Sequence, residues 1–231
     1  MAKAGLLNSS VGRKIAMALS ALFLIFFLLQ HLTINFLSVI SADLFNEISH
    51  FMGTNFLVQF LLQPVLIFGV VFHFVMGFIL EARNRSSRNV QYAYNNAKAN
   101  SSWASRNMLV SGIVILLFIG LHFYDFWLPE LDVKYIQGDM TGLLEDQSGF
   151  RYFEELQHKF VSPVRTGLYC LAFIALIFHL QHGFNSAFQS VGFNNKNYTP
   201  GLKKFGKIYA VAVPVGFIIV ALFHHFSHFS H

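Results

Sequence analysis

Cysteine is nearly missing: Cys170 stands alone among 231 residues. An internal disulfide and any site built from several thiolates are thereby excluded, and without C-x-x-C-H there is no covalent c-type haem attachment. Charge is scarce as well, at 12% of residues against 55% hydrophobic, well below the soluble norm of about 25% charged. No glycine-rich dinucleotide or phosphate-loop signature occurs. A soluble nucleotide-dependent enzyme is not what this composition describes.

What remains is apolar and long. Charge-free windows run over Ile15–Ala42, Ile48–Leu80, Asn107–Tyr124, Thr166–Asn195 and Ile208–His231. Each meets or approaches the roughly 20 residues that a membrane-spanning helix needs. The expectation is an all-α integral membrane protein, a single domain over residues 1–231. Its five transmembrane helices fall near 13–38, 56–81, 106–128, 163–188 and 206–227. The first run follows Lys3, Arg13 and Lys14 as a signal peptide would, and Val39–Ala42 could pass for a cleavage site. It is too long for such a segment and carries Gln30-His31, so it reads as an uncleaved span.

Basic residues set the orientation. Twelve of the 16 lysines and arginines fall on one side: Lys3, Arg13, Lys14, Arg83, Arg85, Arg88, Lys98, Arg106, Lys196, Lys203, Lys204 and Lys207. The opposite side receives Lys134, Arg151, Lys159 and Arg165 with the acidic residues between Glu130 and Glu155. The positive-inside rule places the N-terminus in the cytoplasm and the C-terminus outside. The basic balance needs no nucleic acid to explain it.

Four spans carry one deep histidine each, in LLQHLTIN (His31), VVFHFVMG (His73), FIGLHFYD (His122) and LIFHLQHG (His179). An ionisable ring inside a bilayer is costly and marks function by default. From the start of their spans they lie about 24, 26, 22 and 20 Å along helices rising about 1.5 Å per residue. In a hydrocarbon core of roughly 30 Å, each sits in the far half of its span. Because successive spans alternate in direction, His31 and His122 share an outer level, and His73 and His179 a cytoplasmic one. In a four-helix haem-binding bundle, facing helices can bring each pair to one cofactor.

The inner segments repeat an aromatic-His-x3-Gly pattern, Phe72-His73 to Gly77 and Phe178-His179 to Gly183. Residues four apart share a helix face, so glycine there opens room for a flat macrocycle; close helix packing is the plainer role. At the outer level Asn35 follows His31 by one turn, and Gly120 and Asp125 flank His122. These polar groups could bond an imidazole or a propionate, or mark the membrane boundary where Tyr124, Trp127 and Pro129 close the third span. His182 is an alternative fourth ligand. His158 precedes a Ser162-Pro163 helix start and reads as solvated. The tract with His224, His225, His228 and His231 can bind metal ions, but reads first as a polar end to the last helix. His50, near Glu47, is either an interfacial residue or a proton-exchanging one.

Two histidines fill both axial positions of a haem, which disfavours dioxygen chemistry and leaves one-electron transfer. With these residues in place, the chain closely resembles the dihaem cytochrome b membrane anchors of bacterial succinate:menaquinone oxidoreductases. This is the five-helix, single-anchor class, also found in some fumarate reductases. The resemblance rests on Gln30-His31-Leu32 with Asn35, on Phe45-Asn46 and Ser49-His50-Phe51-Met52, on His73 with Gly77, on the His122 segment, and on Phe178-His179 with Gly183.

It implies two b haems whose iron is bound by His31 with His122 and by His73 with His179. It also implies an iron–sulfur subunit and a succinate-oxidising flavoprotein on the cytoplasmic face of a bacterial inner membrane. A quinone, menaquinone by resemblance, would be reduced near the outer level, where Glu47 and His50 are the nearest proton-exchanging candidates. The heterotrimer could assemble further. The substrate site for succinate would lie on another subunit, and fumarate reduction would use the same anchor chemistry. The alternatives are a cytochrome b anchor of a hydrogenase or formate dehydrogenase, or a non-redox transporter using histidine proton relays.

Overall fold

The computed structural model describes residues 9–86 and 107–227; Lys3, Arg88, Lys98, Arg106, His228 and His231 lie outside them. Seven helical elements make up the described chain. These are α1 (Ser10–Ile40), α2 (Ala42–Thr54), α3 (Val58–Ser86), α4 (Met108–Ile136), α5 (Tyr152–Phe160), α6 (Pro163–Ser190) and α7 (Thr199–Ser227). The expectation of an all-α membrane protein is borne out: α1, α3, α4, α6 and α7 are each long and apolar enough to cross a bilayer. Among the described residues the only β feature is an isolated antiparallel bridge between Leu143 and Phe150.

Local chemistry explains the helix ends. Ser9 caps α1 by accepting from the Gly12 N–H at 2.9 Å. Ser41, in extended conformation, serves two helices at once. Its N–H donates to the Leu37 carbonyl at the end of α1 (2.8 Å), and its hydroxyl accepts from Leu44 at the start of α2 (3.3 Å). Side-chain oxygens at a helix start satisfy donors that have no intrahelical partner. The expected Ser162-Pro163 start of α6 is present, with Ser162 accepting from Arg165 N–H at 3.4 Å.

Two elements differ from the sequence expectation. The segment after Ile40, outside the expected spans 13–38 and 56–81, forms helix α2, which buries Phe45 and leaves Asp43 and Glu47 exposed. The third spanning helix passes Pro129 and runs on to Ile136. Wider π-helical turns at Phe123–Trp127 and Asp132–Ile136 flank the proline. A proline ring clashes with the carbonyl four residues earlier and lacks an N–H, and a π turn relaxes that spacing locally.

The buried core follows α6 and α7, through Tyr169, Phe173, Phe184, Tyr209 and Phe217, and reaches Phe45 of α2 and Phe160 of α5. Half of the apolar window of α7 is buried, against 11% for α1, α3 and α4. The last helix is therefore the packing spine, while the other three keep broad apolar faces such as Phe26, Phe68 and Leu117 uncovered by protein. Among the glycines of the spanning helices, Gly206 of α7 makes the closest approach: a Cβ there would sit 2.5 Å from Phe184 Cδ1. Gly206→Val is expected to destabilise the fold by about 1–3 kcal/mol through overpacking. Thermal unfolding of the detergent-solubilised protein would read this as a lowered midpoint, and an unchanged midpoint would contradict the close packing.

Candidate functional site

The helices bring the four deep histidines together in two pairs. On α3 and α6, the rings of His73 and His179 lie 6.3 Å apart, centre to centre, with planes inclined by 66°. On α1 and α4, His31 and His122 lie 5.7 Å apart with planes at 83°. Among the described residues, no ring contact joins His182 to His73; His182 sits half-buried one turn along from His179.

Both spacings suit one metal held between two imidazoles. With metal–nitrogen bonds of about 2 Å on opposite sides of a flat macrocycle, ring centres fall about 6 Å apart. The donor set is all-nitrogen, which matches noncovalent haem ligation.

The surroundings of the two levels differ. At the inner level, His73 Nδ1 lies 3.1 Å from Ser20 Oγ, and His179 Nδ1 lies 3.3 Å from Ser111 Oγ. A Cβ at Gly77 would meet the Met17 methyl at 3.7 Å, and one at Gly183 the Met108 methyl at 3.5 Å. Both glycines therefore face a flexible methionine end. At the outer level, Phe27 stacks on His31 and Phe118 on His122. Asn35 Nδ2 reaches only to 3.5 Å from His31 Nδ1, and the buried Nδ1 of His122 has no hydrogen-bond partner. Gly120 has open space where a Cβ would be.

Asp125 turns away from His122. It is fully buried, accepts from the Tyr169 hydroxyl at 2.8 Å and pairs with Arg165 at 3.0 Å. Tyr169 in turn sets its edge against the His122 ring, 6.3 Å between centres. A carboxylate at this depth needs both partners, because an unpaired buried charge is strongly unfavourable.

Beyond the His31/His122 pair, α2, the end of α4 and the 137–151 segment form a cap. His50 stacks on Phe150 with ring centres 4.1 Å apart and lies 3.4 Å from the Tyr152 hydroxyl. Burial, reinforced by Glu130, pushes that hydroxyl up to about 12, so it stays protonated at neutral pH and can donate to His50. Gly142 holds a left-handed backbone (φ +65°) where a side chain would strike Tyr152. Glu47 is exposed on α2, and His158 is exposed on α5 as expected.

Two residues occupy places that composition did not suggest. Lys134, counted by charge among the exposed outer residues, is 3% exposed. It bonds the Gly53 carbonyl and pairs with Glu130 at 2.7 Å. His224, from the terminal histidine tract, is fully buried rather than a polar helix end, with Nε2 2.8 Å from Ser38 Oγ. Ser38 sits seven residues beyond His31, on the same face of α1. That spacing is the signal that could have located its partner.

No family model matches the chain, and no solved structure does. A curated protein does: the succinate dehydrogenase cytochrome b558 subunit of Bacillus subtilis (strain 168), 25% identical over 160 residues, covering 68% of this chain and 67% of that protein. Over that length the chain is similar to a succinate dehydrogenase cytochrome b subunit. The aligned length is too great for a single shared hydrophobic helix to account for it.

Proposed function

We propose that this chain is the cytochrome b membrane anchor of a succinate dehydrogenase and holds two b haems. His31 with His122 would bind the outer one, and His73 with His179 the cytoplasmic-side one. The observation that carries this reading is the pairing of four partly buried imidazoles, two by two, each pair at the spacing of one shared metal. Bound there, the haems would supply one-electron transfer across the bilayer to a quinone, menaquinone by resemblance.

The chain's own residues bind, orient and insulate. Two imidazoles on each haem would leave dioxygen no open coordination site. Phe27 and Phe118 fix the outer rings by stacking, and the apolar helix faces keep water from both levels. Basic residues at Arg83, Arg85, Lys203, Lys204 and Lys207 support a cytoplasmic face for that end of the bundle. An iron–sulfur subunit with its flavoprotein would dock there, in a bacterial inner membrane. The cap carrying Glu47 and His50 would then lie outside, where quinone protons can exchange with water.

A pyridine haemochrome assay on the complex purified through this chain tests the reading, with the co-purifying soluble subunits identified. About two b haems per chain are expected, together with a flavoprotein and an iron–sulfur protein. A haem ratio near zero would overturn the cofactor assignment. Hydrogenase or formate dehydrogenase subunits in the preparation would overturn the choice of enzyme.

A further inference from the structure

Ser20 and Ser111 occupy matching places in the chain. Each lies eleven residues before the outer-level histidine of its own helix, His31 or His122. Eleven residues is about three helical turns, so serine and histidine share a face. A methionine stands three residues before each serine (Met17, Met108), and a phenylalanine four before each histidine (Phe27, Phe118). The pattern M-x2-S-x6-F-x3-H therefore occurs twice, followed each time by a helix bearing F-H-x3-G.

The contacts repeat along with the residues. Met17 faces Gly77 and Met108 faces Gly183. Ser20 reaches His73 at 3.1 Å and Ser111 reaches His179 at 3.3 Å. The α1–α3 and α4–α6 halves are two versions of one unit, and in each the serine serves the inner-level ring of its own half.

The direction of these hydrogen bonds follows from the serines' other contacts. The Ser20 hydroxyl donates to the Met17 carbonyl at 2.8 Å, and the Ser111 hydroxyl donates to the Met108 carbonyl at 3.0 Å. With its proton committed, each oxygen can only accept from the ring, so Nδ1 carries the proton and Nε2 is left with a free lone pair. That is the tautomer a metal needs, since the second ring nitrogen sets which one ligates. A serine bonding its own helix is common; a second contact to a ring nitrogen, made in both halves, is not explained by that habit. Among the described residues, no hydroxyl bonds the His31 or His122 ring.

We propose that Ser20 and Ser111 are paired positioning residues that fix the tautomer and orientation of His73 and His179. Both act on the same metal centre, the inner one, although they come from different halves of the chain. The inference rests on reading His73 and His179 as axial ligands. Losing the bond to Nδ1 makes an imidazole a poorer electron donor, which favours the ferrous state.

The test is redox titration of the full chain in its membrane complex, with the two haems told apart by their loss in His73→Ala and His31→Ala. Ser20→Ala and Ser111→Ala are each expected to keep both haems and to raise one and the same midpoint, that of the haem lost in His73→Ala. The double variant should raise it further, and Ser20→Thr and Ser111→Thr, which keep the hydroxyl, should return it. Midpoints unmoved in both alanine variants, or a shift confined to the other haem, would overturn the inference while leaving the ligand reading intact. Wild-type protein without haem would overturn both. If the alanine variants fail to assemble, Ser20→Cys and Ser111→Cys keep the size and weaken the acceptor; an unmoved inner midpoint there is equally fatal.

Discussion

His179→Ala should strip one of the two haems from the chain and leave the other, whereas His182→Ala should leave both. His73→Ala should remove the same haem as His179→Ala, and either His31→Ala or His122→Ala the remaining one. The basis is the ring geometry: His73 faces His179 at 6.3 Å, and His31 faces His122 at 5.7 Å. A haem that lost one of its two histidine ligands would keep only a single bond to the protein. Haem content per chain and the low-spin ferric signals of the variants measure the result. Retention of both haems in His179→Ala with loss in His182→Ala would reverse the fourth ligand.

Breaking the buried charge cluster of the cap should destabilise the protein more than any single surface change. Glu130 pairs with Lys134 at 2.7 Å and with Arg151 at 2.6 Å, and the two cations are 3% and 10% exposed at their side chains. Glu130→Leu would strand Lys134, while Arg151 keeps Glu155 at 2.5 Å. Removing one partner of a buried pair costs about 3–5 kcal/mol, whereas replacing both by apolar groups is often close to neutral. The double variant Glu130→Leu/Lys134→Met should therefore recover most of the loss. Unfolding midpoints of the solubilised protein give the comparison, and a Glu130→Leu effect below about 1 kcal/mol would show that water reaches the cluster.

Much of this architecture is legible in the sequence because a bilayer imposes simple rules. Uninterrupted apolar length forces helices, and helix rise converts residue number into depth, which sorted His31, His73, His122 and His179 into levels. Other features need a partner surface that no single segment displays. The amphipathic face of α2 has meaning only once Phe45 meets the outer core. Lys134 contributes a charge to any count, yet its environment is set by Gly53 and Glu130 on separate elements. His224 sits in a tract whose composition says nothing about which ring turns inward to Ser38. Ser20 and Ser111 are quieter still, since serine is ordinary in membrane helices and only the contacts with His73 and His179 distinguish these two. Pro129 misleads in the opposite direction, because the π turns that carry it are tertiary solutions to a local clash.

The heavy burial of α7 bears on the order in which the bundle forms. α6 and α7 are neighbours in sequence, joined across residues 191–198, and their shared core includes Phe184, Tyr209 and Phe217. Contacts between neighbouring segments close with little loss of chain entropy and form early. The histidine pairs, by contrast, join helices distant in sequence and offer each other little packing. Assembly of α1, α3 and α4 onto the α6–α7 hairpin is then the later stage, and neither histidine pair can close before it.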